Sequence, residues 1–347
     1  MNGYLLSIMK GQKSSFMAQL ITYLLVPWSL IYGLGVFSHR NFYKLKGAYR
    51  APKPVISIGN ITVGGSGKTP LVIWIARHLQ DKGFKSVILT RGYMPQESNG
   101  SDEVDMLNEQ IPYMPVLVGG NRVSNIKKSM RILPVDVYIA DDAFQHWPLH
   151  RDLNIVAIDS GNPFGNGFLL PAGVLREPLS ALKRADIFVL TKTNRANGLQ
   201  GLSSKLKKIN PQALMVESCH KAQGVIDVFG TEALPADFLR NLPVIGFCAI
   251  GDPLSFESEL RNSGALIAKV FTYSDHHIYQ QKDIQRMVEF CRSQAVPLLV
   301  TTHKDAVKLN IFRDSFKGLR LVYLPIQLEI TKGSDEFIQK IISICRH

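Results

Sequence analysis

The chain has 347 residues, 40 Lys and Arg against 28 Asp and Glu, and is 46% apolar and 20% charged. That is too apolar for a disordered or fibrous protein, and long enough for one large domain or two ordinary ones. No G-X-Y period, heptad run or longer repeat is visible, which excludes collagen, coiled coil and solenoid. Cys219, Cys248, Cys291 and Cys345 lie far apart with no CxxC, so buried thiols in a reducing compartment are expected, not a disulfide frame or a zinc site.

The net charge of +12 is concentrated early in the chain. Residues 1–80 carry Lys10, Lys13, Arg40, Lys44, Lys46, Arg50, Lys53, Lys68 and Arg77, and no acid. This basic lobe surrounds an apolar run, so no nucleic-acid partner is expected. Phe16 to Phe37 is 22 residues without a charge. At ~1.5 Å per residue a helix of that length reaches about 30 Å, roughly one hydrocarbon core. Pro27 would kink it, which leaves a half-inserted interfacial helix as a second geometry. A cleaved signal peptide and a buried core helix compete with the membrane anchor. The run is long for a signal segment and its cleavage sites are poor, so residues 1–50 are expected to be an anchoring segment. Arg40, Lys44, Lys46 and Arg50 follow it more densely than Lys10 and Lys13 precede it. The positive-inside rule then places the bulk of the chain on the cytoplasmic face, with a basic flank suited to anionic lipid.

Strands and helices alternate after the anchor. Val55–Ile58 reads as a buried strand, and Thr69–Lys82 as a helix with Leu71, Ile75, Ala76 and Leu79 at helical spacing. Further strands are expected at Ser86–Leu89, Val135–Ala140, Asn154–Ile158, Ile187–Leu190, Val244–Ala249, Ala268–Thr272, Leu298–Thr301 and Leu321–Leu324. Helices are expected at Asp283–Gln294 and Ser334–Cys345. The pattern predicts an α/β fold with a mostly parallel sheet. The polar stretch Asn194–Pro211 suggests a boundary, giving a core over 51–200, a second, smaller α/β lobe over 201–347, and a cleft between them.

Between the first strand and its helix lies Gly59-Asn60-Ile61-Thr62-Val63-Gly64-Gly65-Ser66-Gly67-Lys68-Thr69-Pro70. Such a loop wraps backbone N–H groups around a phosphate at a helix N-terminus. Lys68 can reach β- and γ-phosphates, and Thr69 can set its hydroxyl on Mg²⁺. The strict phosphate-loop pattern has glycine where this chain has Thr62. Another apolar strand ends in Asp141-Asp142, a like-charge pair that Mg²⁺ beside ATP would satisfy, so either acid is a metal ligand candidate; a plain Asp-rich turn is the alternative. Gln145 and His146 follow within a turn and suit a polar substrate.

The chain resembles the tetraacyldisaccharide 4′-kinases, the lipid A 4′-kinases of Gram-negative envelope synthesis. The resemblance rests on Ser57–Pro70, Thr90–Tyr93 (TRGY), Asp102–Glu103, Asp141–His146 (DDAFQH), Leu170–Pro178 (LPAGVLREP), Asp275–His277 (DHH) and Thr301–Leu309 (TTHKDAVKL), seven segments in the family's order. It implies a P-loop NTPase-like sheet with a second lobe and an N-terminal membrane helix. It also implies transfer of the γ-phosphate of ATP to the 4′-hydroxyl of a membrane-held lipid disaccharide 1-phosphate, at the cytoplasmic face of the inner membrane, with no obligate protein partner. By the same resemblance Gly64, Gly65, Ser66, Gly67, Lys68, Thr69 and Pro70 bind the nucleotide. Lys68 acts in catalysis, Thr69, Asp141 and Asp142 serve Mg²⁺, and Arg91, Arg122, Gln145, His146, Arg176 and Glu177 face the substrate. Asp102 falls on the family's general base and His276 on the histidine that pairs with it. This chain has Ser101-Asp102-Glu103-Val104 where the family has GDEP.

A carboxylate can accept the proton of a sugar hydroxyl as the P–O bond forms, and a histidine can orient that carboxylate. His303 and Lys304 follow a strand, as a nucleotide contact near the base or ribose or as a helix cap. The rival reading is another membrane-associated P-loop ATPase or GTPase acting as a switch. Thr191-Lys192-Thr193-Asn194 approaches the guanine-reading [NT]KxD pattern without completing it.

Overall fold

The computed structural model describes residues 3–92, 102–196, 198–222, 224–230, 232–235, 237–275 and 277–346. The chain opens with α1 (Gly3–Met9), α2 (Phe16–Lys46), β1 (Val55–Gly59), α3 (Lys68–Asp81) and β2 (Ser86–Thr90). It continues with α4 (Asp102–Gln110), β3 (Val116–Val118), α5 (Arg122–Ser129), β4 (Val137–Asp141), β5 (Leu153–Asp159) and β6 (Ile187–Thr191). Next come α6 (Leu199–Ile209), β7 (Leu214–Ala222), β8 (Val225–Asp227), β9 (Ala233–Leu234), β10 (Pro243–Cys248) and α7 (Pro253–Asn262). The chain closes with β11 (Leu266–Thr272), α8 (Gln281–Ser293), β12 (Leu298–Thr302), α9 (His303–Ala306), β13 (Arg320–Leu324), β14 (Ile326–Lys332) and α10 (Ser334–Cys345).

Two units form. The first holds Met1–Gly92, Ile111–Cys219 and Glu329–His347, and the second Tyr93–Gln110 and His220–Leu328. Among the described residues the first unit is built on an eight-stranded sheet ordered β14-β7-β6-β5-β1-β4-β2-β3. The pairs β6–β7, β5–β6, β1–β5, β1–β4, β2–β4 and β2–β3 are parallel. β1, β2, β4 and β6 are buried at every position, which is why they read as continuous apolar runs rather than alternating ones. β1 lies between β4 and β5, so the strand order reverses there, and the carboxyl end of such a point is where open α/β sheets bind ligands.

The second unit carries a six-stranded sheet ordered β11-β10-β12-β13-β8-β9. Its first three pairings are parallel, and β8 and β9 join antiparallel. One apolar cluster, including Phe247, Ile284, Met287 and Phe316, lies under α8. A second gathers Val244, Phe256, Leu260 and Val300 with α7.

These units depart from the expected division into 1–50, 51–200 and 201–347. The stretch taken as a boundary contains α6, whose Leu199, Leu202, Leu206 and Ile209 pack on the core of the first unit. β7 and β14 extend the first sheet, and Phe337 of α10 stacks on Trp74 of α3 at 5.3 Å. Residues 1–50 also belong to the first unit.

Helix α2 is 31 residues long and keeps Pro27 in its interior. Its most apolar window has a mean hydropathy of 1.8 and is only 6% buried, so it is not a core helix of this chain. Phe16, Leu24, Trp28, Ile31 and Leu34 all point outward. One polar seam holds the helix to the loop before residue 177. Ser29 Oγ donates to the Leu169 carbonyl at 2.9 Å and accepts from Ala172 N at 3.0 Å. Tyr32 Oη donates to the Arg176 carbonyl at 3.2 Å.

Candidate active site

β1 ends at Gly59, where a Cβ would stand 2.6 Å from that of Phe144, so only glycine lets the turn after β4 come this close. The loop that follows is closed on itself, since Asn60 Nδ2 donates to Ser66 Oγ at 2.9 Å. Gly67 takes a left-handed conformation (φ +79°) as the N-cap of α3, which puts Lys68 and Thr69 on its first turn. Leu71, Val72, Ile75, Ala76 and Leu79 bury the inner face of that helix. A second segment runs alongside the loop. Val63 N–H donates to the Val174 carbonyl at 2.8 Å and Arg176 N–H to that of Ile61 at 2.7 Å, which carries Arg176 and Glu177 into place.

β4 delivers the acidic pair. Asp142 departs from the strand with φ +46°. Its carboxylate receives Arg176 Nη1 at 2.9 Å on both oxygens, and Lys68 Nζ stands 3.6 Å from Oδ1. Burial alone would raise the pKa of Asp142, but Lys68, Arg176 and Arg122 together hold it below the usual carboxylate value. Arg122 is fully buried and donates through Nη2 to the Asp141 carbonyl, and to that of Asp142 at 3.3 Å. Expected beside a substrate, Arg122 is instead sealed behind the acidic pair and holds its backbone. Burial, opposed by Asp141 and Asp142, lowers the pKa of its guanidinium.

Gln145 and Glu177 are also tied inward. Gln145 Nε2 donates to the Asn60 carbonyl at 2.7 Å and to Glu177 Oε2 at 3.2 Å. The buried Glu177 carboxylate pairs with Arg184 at 2.7 Å, and that guanidinium covers the Phe144 and Trp147 rings. His146 is buried, and its pKa is lowered to about 3 by burial, then by Arg122, Arg151 and Arg91, so the ring is neutral at pH 7. Arg91 is exposed just beyond β2.

The structure therefore brings together Lys68, Asp142 and Arg176 at the N-terminus of α3 and joins Gln145 and Glu177 to Asn60 of the glycine loop; Thr69 lies on the first turn of α3, and Asp141 and His146 on the segment that carries Asp142 and Gln145. His276 and the side chain of Asp102 lie outside the described residues. In the second unit, Thr302 caps α9 by accepting from Asp305 N. His303 Nε2 meets Glu109 Oε2 at 2.7 Å, and Lys304 meets Asp275 at 3.0 Å. Asn60, Arg184 and Lys192 were not foreseen as part of the site. Position was the available signal for Asn60 and Lys192, which directly follow β1 and β6, whereas Arg184 lies in the turn before β6 starts.

Thr69 and the two acids offer only hard oxygen donors, a set that suits Mg²⁺ when phosphates and water complete its shell. No group of three or more His, Cys, Asp or Glu able to hold a metal alone occurs among the described residues. The donor set thus fits an ion that arrives with a nucleotide.

Residues 21–343 match the family profile described as tetraacyldisaccharide-1-P 4′-kinase. The tetraacyldisaccharide 4′-kinase of Halothermothrix orenii is 33% identical, over 98% of this chain and 97% of its own. That of Pelobacter propionicus is 35% identical over 88% of each. Among solved structures, LpxK from Aquifex aeolicus in complex with ATP superposes with a TM-score of 0.72 at 27% identity, covering 94% of this chain and 100% of that one. A profile spanning both units, relatives aligned nearly end to end and a shared fold agree with the loop and acidic pair: the chain belongs to the tetraacyldisaccharide-1-P 4′-kinase family.

Proposed function

We propose that this protein is an ATP-dependent kinase that phosphorylates the 4′-hydroxyl of a tetraacyldisaccharide 1-phosphate in lipid A biosynthesis. The observation that carries this reading is the convergence of Lys68, Asp142 and Arg176 at the N-terminus of α3, within a chain that matches the family over residues 21–343. The glycine loop and the N-terminus of α3 bind the phosphates of ATP. Lys68 leaves its 3.6 Å contact with Asp142 to neutralise charge on the transferring group. Arg176 stays with the acid and prevents two adjacent carboxylates from repelling each other. Mg²⁺, when bound with ATP, neutralises the phosphate oxygens, and Thr69, Asp141 and Asp142 would hold it. Asp102 accepts the proton of the sugar hydroxyl, oriented by His276.

The exposed apolar face of α2 supports a seat in the inner membrane, and the basic residues that follow Phe37 support a cytoplasmic active site. A lipid acceptor would then meet the enzyme at the bilayer surface.

The test is purified protein with γ-labelled ATP, Mg²⁺ and tetraacyldisaccharide 1-phosphate in detergent. Label is expected on the lipid, with little phosphate released when the acceptor is omitted. Phosphate release that proceeds equally without acceptor, and no labelled lipid, would identify a switch NTPase instead.

A further inference from the structure

The run Thr191-Lys192-Thr193-Asn194 fails as a guanine reader, yet it reaches the glycine loop from behind. β5 and β6 are parallel, and their register sets Asp159 opposite Thr191, so both strands finish side by side below the loop. Lys192 follows with φ +57° and ψ 38°, a left-handed conformation that a residue with a side chain holds where its surroundings over-determine it. Lys192 is 3% exposed, and its ammonium bonds Asp159 Oδ2 at 2.6 Å and the Gly65 carbonyl at 3.0 Å. Asp159 is oriented in turn, because its Oδ1 accepts from Gly161 N at 2.9 Å. Thr191 Oγ1 donates to the Ser66 carbonyl at 3.0 Å and shares its proton with the Ile158 carbonyl at 3.2 Å.

Two consecutive carbonyls of the GGSGK segment are therefore fastened to one strand end. A peptide carbonyl and the N–H of the same planar unit point opposite ways. Fixing the Ser66 carbonyl from below turns the Gly67 N–H upward, toward the side a phosphate would occupy. A glycine-rich loop loses much conformational freedom when it closes on a ligand, and a loop already fixed has less to lose. Burying a lysine ammonium is costly, and a structural pair at the surface would avoid that cost.

We propose that Lys192, held by Asp159 and assisted by Thr191, is a positioning residue that keeps the phosphate loop in its nucleotide-binding conformation before ATP arrives. This deepens the kinase reading above and rests on it. ATP affinity measured by titration calorimetry without acceptor, beside kcat and the two KM values, tests the idea. Lys192→Met is expected to weaken ATP binding about tenfold or more and to raise the KM for ATP in step, the effect of losing a buried charged hydrogen bond. The KM for the lipid acceptor should not move, and Lys192→Arg, which keeps the cation, should bind ATP more tightly than Lys192→Met. A folded Lys192→Met protein with a lower Tm but unchanged ATP affinity would overturn the proposal and leave an ordinary structural pair. If Lys192→Met does not fold, Thr191→Val reads the same brace. About threefold weaker ATP binding supports it, and unchanged binding overturns it. A wild-type protein that bound no ATP would overturn the kinase reading itself, and the brace with it.

Discussion

Arg176 places one guanidinium nitrogen 2.9 Å from both carboxylate oxygens of Asp142, while its own backbone carbonyl accepts a hydrogen bond from Tyr32 of the apolar helix α2. The residue thus joins the acidic end of β4 to the N-terminal segment of the chain.

Asp142 makes acid stability a readout of that cluster. Its pKa is depressed in the folded protein, so its contribution is complete above the unfolded carboxylate value of 3.8 and fades as pH falls through the lower folded value. Asp142→Asn, which leaves Lys68, Arg176 and Arg122 without their shared counter-charge, should lower Tm at pH 7. Thermal melts taken from pH 7 downward should show the gap to wild type closing only below about pH 4.

His146 works with the opposite kind of group and the same linkage. Its folded pKa of about 3 lies under the ordinary 6.5, so between those values the unfolded chain binds a proton that the folded one refuses. Stability is lost as pH falls through that window. His146→Gln should flatten the decline in Tm between pH 6.5 and pH 4, and an unaltered slope would place the ring in a more polar setting.

Lys68→Ala should lower kcat by at least ~10²-fold while the protein remains folded, as expected for a cation that stabilises charge on a transferring phosphoryl group. Steady-state transfer to the lipid acceptor is the measurement. Normal turnover would assign the charge stabilisation to another group.

Asp102 and His276 were read from the sequence as a base and its partner. Asp102→Asn should reduce kcat by about 10²–10⁴-fold with ATP affinity nearly intact. His276→Ala should resemble it, and the double variant should be little worse than either single one, because paired groups act as a unit. Fully additive losses would show that the two do not cooperate.

Helix α2 should keep the protein in membrane pellets through a high-salt wash and release it into detergent. Salt screens only charge attraction, whereas more than ten large apolar side chains at about 1.5–3 kcal/mol each favour the bilayer. Complete release by salt would mean that the exposed apolar face is covered by protein instead.

The strands that form the centre of both sheets were legible because they are buried on both faces, as in Val55–Gly59 and Leu298–Thr302. The strand, glycine loop and helix around Lys68 and Thr69 were legible because such a unit is a local object, with its loop in twelve consecutive residues. α6 was not, since Ser203, Ser204, Lys205, Lys207 and Lys208 cover its outer face and give it the composition of a linker. The return of β14 and α10 to the first unit was hidden for a different reason: pairing across more than a hundred residues leaves no periodic mark. Arg122 shows the same limit at the site. Sequence supplied the residue, but only the fold reveals that it lies behind Asp141 and Asp142.

The seam between α2 and the loop ending at Arg176 bears on how the protein can be made soluble. Cutting away residues 1–46 would strip Ser29 and Tyr32 from the loop along with the apolar face; the Leu169 carbonyl keeps Gly173 N–H at 2.9 Å, whereas Ala172 N–H and the Arg176 carbonyl would be left to find water. A trimmed protein is expected to be soluble with its Arg176 segment still held by Ile61 and Asp142, whereas one dispersed whole in detergent keeps the hold of α2 as well. In the membrane seat proposed above, attachment to the bilayer and the hold on the loop are two duties of one helix, carried on different faces of it.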